Sequence, residues 1–107
     1  MKLRSLLFVP ADSERKLAKG LGSPADALIL DLEDAVAPAD KDAARTNVRR
    51  WIDAHPDAAA RVVVRINDSA TAWFEADLDL LRQGGLQAAM LPKAETALPI
   101  AAVHNAL

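Results

Sequence analysis

Four short apolar runs, Leu3–Val9, Ala27–Leu32, Arg61–Asn67 and Leu86–Leu91, constrain this chain most. None alternates cleanly with polar residues. A strand with one wet face alternates, whereas a strand buried on both faces does not. The four runs therefore read as strands of a parallel sheet. Helical patterns fill the intervals. Ser13–Leu21 has Asp12 or Ser13 as N-cap, Glu14 in its first turn and Gly20 and Gly22 to end it. Asp40–Ala54 lines up Ala44, Val48, Trp51 and Ile52 and stops before Pro56. Thr71–Gln83 puts Phe74, Leu78 and Leu81 on one face and ends at Gly84 and Gly85. A fourth helix is predicted from near Thr96, with Pro99 in its first turn and Ile100, Val103 and Leu107 on one face. This alternation predicts an α/β fold, with a parallel sheet covered by helices and right-handed connections.

The 107 residues make one domain at most, and residues 1–107 read as a single run of four βα units. A closed (β/α)₈ barrel takes ~250 residues, so four units are about half of a TIM barrel. The chain reads either as a small open α/β domain or as the first half of such a barrel. Thirteen basic against fifteen acidic residues give a net charge of -2, which offers no electrostatic reason to expect nucleic acid or an anionic membrane. The apolar stretch Leu6–Val9 is too short for a signal peptide or a membrane span, which makes the cytoplasm the default. With no cysteine, disulfides, thiolate metal sites and cysteine nucleophiles are excluded.

Parallel α/β folds keep their chemistry at the carboxyl ends of the strands. Strand two ends Asp31-Leu32-Glu33-Asp34, three carboxylates within four residues, and Asp31 and Glu33 share a parity. As structural groups, Asp31 would pair with a lysine and Asp34 would cap a turn. Three together favour an electropositive ligand or a hydrogen-bonded water network. Strand three carries Arg65 between Val64 and Ile66, a planar fork suited to a carboxylate. Its structural alternative is an internal salt bridge to Glu33 or Asp34. Strand four ends at Lys93 and Glu95. His55 and His104 receive no catalytic role, Trp51 and Trp73 read as packing residues, and Lys41, Arg45, Arg49 and Arg50 read as the solvated face of helix two, with Lys41 set apart because it opens that helix near the Glu33–Asp34 loop. A divalent cation is an economical way to hold an acidic rim and an anionic substrate together.

The blocks LRSLLFVPADSERKLAKG, ADALILDLEDAVAPADKDAAR, VVVRIN and MLPKAET closely resemble citrate lyase beta-subunit-like proteins of the HpcH/HpaI aldolase family, which includes malyl-CoA and citramalyl-CoA lyases. They stand in family order and cover nearly the whole chain. Ala11 departs from the pattern, since many relatives have glycine there. The resemblance implies a TIM barrel, bound Mg²⁺ and carbon–carbon bond cleavage of an acyl-CoA thioester of a hydroxy-dicarboxylic acid. It implies that Arg65 binds the substrate carboxylate, that Glu33 and Asp34 are catalytic and lie near the metal and its waters, and that Lys16, Lys19 and Lys41 contact the CoA. It places both metal-ligating carboxylates after strands five and six, so no direct ligand is expected within these 107 residues, and Glu95 is not one. It also implies a homo-oligomer acting on small molecules. The isolated chain is expected to be inactive. A free 2-oxo-acid aldolase of the same family is the nearest alternative. A receiver-like signalling domain, or a fragment without activity, is the alternative of another class.

Overall fold

The computed structural model describes residues 5–91 and the strand pair Leu98–Pro99. Four strands, β1 (Leu6–Pro10), β2 (Ala27–Asp31), β3 (Val62–Arg65) and β4 (Ala88–Met90), pair in parallel and lie side by side in chain order. Helices α1 (Glu14–Gly20), α2 (Lys41–Ala54) and α3 (Phe74–Arg82) connect them. This order is the one a (β/α) barrel is built from. It is not the order with the second strand at the edge, which a receiver-like domain would show.

The predicted reason holds: the middle of the sheet is dry on both sides. Leu28, Leu30, Val62, Val64 and Ala89 pack against Leu17, Val48, Trp51, Ile52, Leu78 and Leu81. Ala27, Ile29, Val63 and Met90 form a second cluster on the opposite face. Trp51 is a packing residue as expected, and its indole N–H donates to the Leu17 carbonyl at 3.0 Å.

The helix ends follow local chemistry. Ser13 caps α1 by accepting from the Lys16 N–H at 3.2 Å. Gly84 and Gly85, at φ 87° and 83°, stop α3 in a conformation that side chains disfavour. Helix α3 starts at Phe74 rather than Thr71, because Thr71 turns back on Asp68 through its N–H and hydroxyl. Strand β3 starts at Val62 rather than Arg61. The Arg61 guanidinium instead donates to the carbonyls of Leu21, Ser23 and Ala25, tying the loop before β2 to the base of β3.

The fourth helix needs correction where it can be compared. Leu98–Pro99, placed by the sequence in its first turn, form a two-residue strand, β5, antiparallel to Ala88–Ala89 of β4. An edge strand presents unpaired N–H and C=O groups, and a pairing segment satisfies them. Proline is compatible with an outermost strand because it has no N–H to leave unpaired. The rest of that helix, with His104, lies outside the described residues, as do Lys93 and Glu95. Among the described residues, no helix is long and apolar enough to cross a membrane.

Candidate functional site

The sheet register builds the site. Pro10, Asp31, Arg65 and Met90 lie in one row across β1 to β4, at the carboxyl ends of the strands. Asp31 and Arg65 are thus direct neighbours on adjacent strands. Arg65 Nε donates to Asp31 Oδ1 at 2.9 Å and Nη2 donates to Oδ2 at 2.5 Å. Asp31 is buried at 1% exposure. Its carboxylate also accepts the Glu33 N–H at 2.8 Å and the Ala35 N–H at 3.0 Å. All four hydrogen bonds converge on one buried anion.

Burial pushes the Asp31 carboxyl up, but the Arg65 hydrogen bond, the two backbone N–H groups and the Arg65 charge outweigh it and hold the carboxyl below its ordinary range. Arg65 is raised above its ordinary value, chiefly by the hydrogen bond to Asp31 and, after the opposing effect of burial, by the charges of Asp31, Glu33 and Asp34. The partner of Arg65 is therefore Asp31, where the sequence offered Glu33 or Asp34, and the partner of Asp31 is an arginine rather than a lysine. Glu33 comes second, with Oε1 3.8 Å from Arg65 Nε. Asp34 is exposed beside it. Phe8 covers the guanidinium, with Arg65 Cζ 4.8 Å from the ring centroid. Asp31 takes Nε and Nη2, and among the described residues no hydrogen bond engages Nη1.

Lys16 and Lys19 are exposed on α1 and line a groove of about 200 Å³ with Leu7, Phe8, Val9 and Pro10. Phe8 is common to this groove and to the Arg65 face. Lys41 does not share the groove. It is buried, and its Nζ donates to the carbonyls of Leu32 and Glu33 at 2.9 and 2.7 Å. That ammonium is engaged inside the fold, which is not the exposed position a CoA phosphate contact needs. The His55 ring is tilted at 45° to that of Trp51, with centroids 5.1 Å apart, and its Nδ1 lies 2.9 Å from the Trp51 carbonyl.

Sequence reasoning missed a second polar centre beneath the rim. Asp77, fully buried on α3, accepts from Asn67 N at 2.8 Å, Asn67 Nδ2 at 2.7 Å and Arg45 Nη1 at 3.0 Å. Arg45 is therefore not on the solvated face of helix two. The available signal was an acid in the first turn of an apolar helix, Asp77 between Phe74 and Leu78. Among the described residues, no group of three or more His, Asp or Glu side chains is arranged to hold a metal ion.

Comparison with known proteins adds independent findings. The family model for HpcH/HpaI aldolase/citrate lyase matches residues 4–107. A (3S)-malyl-CoA thioesterase from Cereibacter sphaeroides is 37% identical over 100 residues, covering 94% of this chain and 35% of that protein. A citrate lyase subunit beta-like protein from Mycobacterium tuberculosis is 46% identical over 94 residues, covering 88% and 33%. A solved citrate lyase beta subunit from M. tuberculosis, complexed with oxaloacetate and magnesium, superposes with a TM-score of 0.72 at 45% identity, covering 85% of this chain and 39% of that one. A CitE structure from the same organism, in complex with magnesium, acetoacetate and coenzyme A, matches equally at 0.72 and 45%, covering 85% and 32%. The chain spans about a third of the length of the curated relatives it matches.

Proposed function

The chain belongs to the HpcH/HpaI aldolase/citrate lyase family, and from that premise we propose that it supplies the carboxylate-binding rim of a Mg²⁺-dependent carbon–carbon lyase. The substrate class is the acyl-CoA thioester of a hydroxy-dicarboxylic acid. One observation carries this reading: Arg65 is clamped side-on by Asp31 at a strand end and, among the described residues, keeps one side of its fork free. The oxaloacetate and acetoacetate bound by the M. tuberculosis relatives are carboxylates of the kind that fork fits.

Asp31 does not fit as a ligand of Mg²⁺, because four hydrogen bonds already occupy its oxygens. Glu33 and Asp34 fit as acceptors for water around the ion at the rim, and the direct ligands are proposed to come from other residues of the complete barrel. When bound, Mg²⁺ supplies Lewis-acid stabilisation of developing oxygen charge. This chain's residues bind and orient. Arg65 takes the substrate carboxylate on its free edge. Glu33 and Asp34 hold water and accept or return the proton that the chemistry moves. Lys16 and Lys19 meet the CoA phosphates along the α1 groove. Cleavage breaks the bond between the hydroxyl-bearing carbon and the carbon next to the thioester. The hydroxyl proton leaves, an oxo acid forms, and the carbon next to the thioester takes up a proton in place of the broken carbon–carbon bond.

The thioesterase relative favours a second reading, hydrolysis of the thioester instead. Product analysis separates the two. Given (3S)-malyl-CoA and Mg²⁺, a complete barrel carrying this segment is expected to release glyoxylate and acetyl-CoA. Malate and free CoA would replace the lyase reading with hydrolysis. On the chain alone, oxaloacetate is expected to shift the Arg65 side-chain NMR signals. Oxaloacetate binding that survives Arg65→Lys unchanged overturns the carboxylate site.

A further inference from the structure

Lys41 is a cation at the unfavourable end of a helix. It opens α2, where the helix dipole is positive and favours anions, yet it is only 5% exposed. What holds it is the end of β2. Its Nζ donates to the Leu32 and Glu33 carbonyls and lies 5.0 Å from the centroid of the Trp73 ring. A second donor grips the same corner. Asn67 Nδ2 donates to the Leu32 carbonyl at 3.1 Å while its other contact, Asp77, is fixed by Arg45. One unbroken hydrogen-bonded path therefore runs from Arg45 through Asp77, Asn67, the Leu32 carbonyl and Lys41 to the Glu33 carbonyl.

The path ends on the residues that face Arg65. Glu33 is gripped at both ends, its N–H by Asp31 and its carbonyl by Lys41 at 2.7 Å and by the Val36 N–H at 3.3 Å. These anchors set the backbone at Glu33 and so the direction in which its side chain leaves the chain, with the carboxylate 3.8 Å from Arg65. Asp34 follows one peptide later.

We propose that Lys41 and Asn67 are positioning residues, which hold the Glu33–Asp34 corner against the Asp31–Arg65 pair so that acids and guanidinium face one ligand at a set spacing. Neither touches the ligand. The consequence for binding rests on the reading of Arg65 as a carboxylate site. The positioning itself does not.

The test is amide hydrogen exchange by NMR on the full chain, without ligand, for Lys41→Met, Lys41→Arg and Asn67→Ala. In Lys41→Met, the Glu33 and Ala35 amides are expected to exchange about tenfold faster or more, as local opening does when it is freed from the rest of the fold. The Ile29 and Val63 amides, in the central strands, are expected to keep their rates. Lys41→Arg, which still donates to carbonyls, is expected to restore slow exchange. Oxaloacetate affinity is expected to fall in Lys41→Met in step with the exchange rate. Uniform acceleration across the sheet overturns the proposal, since Lys41 would then be a stability residue only. Unchanged rates at Glu33 and Ala35 overturn it as well. If Lys41→Met fails to fold, Asn67→Ala carries the same test, because it removes one of the two grips on Leu32. Local acceleration there supports the proposal and unchanged rates overturn it. A wild-type chain that does not bind oxaloacetate would count against the carboxylate site alone and leave the exchange result standing.

Discussion

Asp31 and Arg65 face each other across β2 and β3, paired in register and joined by two side-chain hydrogen bonds. A buried carboxylate and a guanidinium are each costly alone, and each removes the other's penalty. The pair also decides geometry. A side-on clamp holds the guanidinium plane, and the Phe8 ring closes one of its faces. Structure and the ligand recognition proposed above therefore draw on the same arginine.

That pair sets an acid limit. The folded carboxyl of Asp31 lies below its ordinary value, so its contribution is present above the unfolded pKa and is lost as pH falls through the folded one. Urea midpoints are expected to be flat on this account above about pH 4 and to fall below it. Asp31→Asn is expected to flatten part of that acid limb. It should also cost about 3 kcal/mol at pH 7, the low end for breaking a buried pair, because Arg65 keeps some contact with water. An acid limb of the same slope in Asp31→Asn would place the titrating group elsewhere.

Asp77 should matter as much for stability. It is fully buried and accepts three hydrogen bonds, one from a guanidinium. Asp77→Ala strands those donors and is expected to cost about 3–5 kcal/mol in chemical denaturation. Asp77→Asn keeps one acceptor and should cost less. A loss below about 1 kcal/mol, the worth of one ordinary hydrogen bond, would mean that Arg45 and Asn67 find other partners.

Gly84 and Gly85 share a positive φ but not a neighbourhood. A Cβ at Gly84 meets nothing within 4 Å, whereas one at Gly85 meets Ile52 Cγ2 at 2.9 Å and Arg49 Nη2 at 3.1 Å. Gly84→Ala is expected to cost about 1–2 kcal/mol from backbone conformation alone. Gly85→Ala adds overpacking against Ile52, about another 1–3 kcal/mol. Equal melting temperatures for the two variants would refute the packing contribution.

Much of this was legible in the sequence because short apolar runs without alternation, set between helical patterns, mark strands buried on both faces. The four apolar runs, the capping Ser13 and the Gly84–Gly85 stop all act through their own local geometry. Arg65 and the acids of β2 were legible as a group because charges at the end of an apolar strand are expensive. Their pairing was not, since Asp31 meets Arg65 only through a register that spans 34 residues of chain. Arg45 and Lys41 were misjudged for a related reason. Both sit on α2, where spacing suggests a wet face, and each is drawn inward by a group on another element, Asp77 and the end of β2. Leu98–Pro99 was read as helix because the pattern around it is helical, while its strand pairing depends on the free edge of β4.

Among the described residues, β5 pairs with β4 and the other outer strand of the sheet is β1, where Leu6, Leu7 and Phe8 are 43%, 37% and 45% exposed. An unpaired apolar edge invites association. Sedimentation of the 107-residue chain is expected to show mass rising with concentration, and Leu7→Lys to suppress it. A wild-type chain that stays monomeric across the range would show that this edge is already protected.

Arg65→Lys separates the two uses of the arginine. Lysine keeps a positive charge but can give Asp31 one direction of donation where Arg65 gives two, and it has no second edge for a ligand. A lower melting temperature is therefore expected, from the weakened pair alone. If Arg65 also docks the substrate carboxylate, a complete barrel bearing Arg65→Lys should lose roughly 2–4 kcal/mol of transition-state stabilisation, as removal of a positioned donor does. The two losses are measured apart, by thermal melt and by kcat/KM on (3S)-malyl-CoA at a temperature where both proteins are folded. Asp31→Asn supplies the comparison, since it weakens the pair while leaving the fork intact. Equal losses of kcat/KM in Asp31→Asn and Arg65→Lys would make Arg65 a structural partner. A loss several-fold larger in Arg65→Lys assigns the free edge of its guanidinium to the substrate.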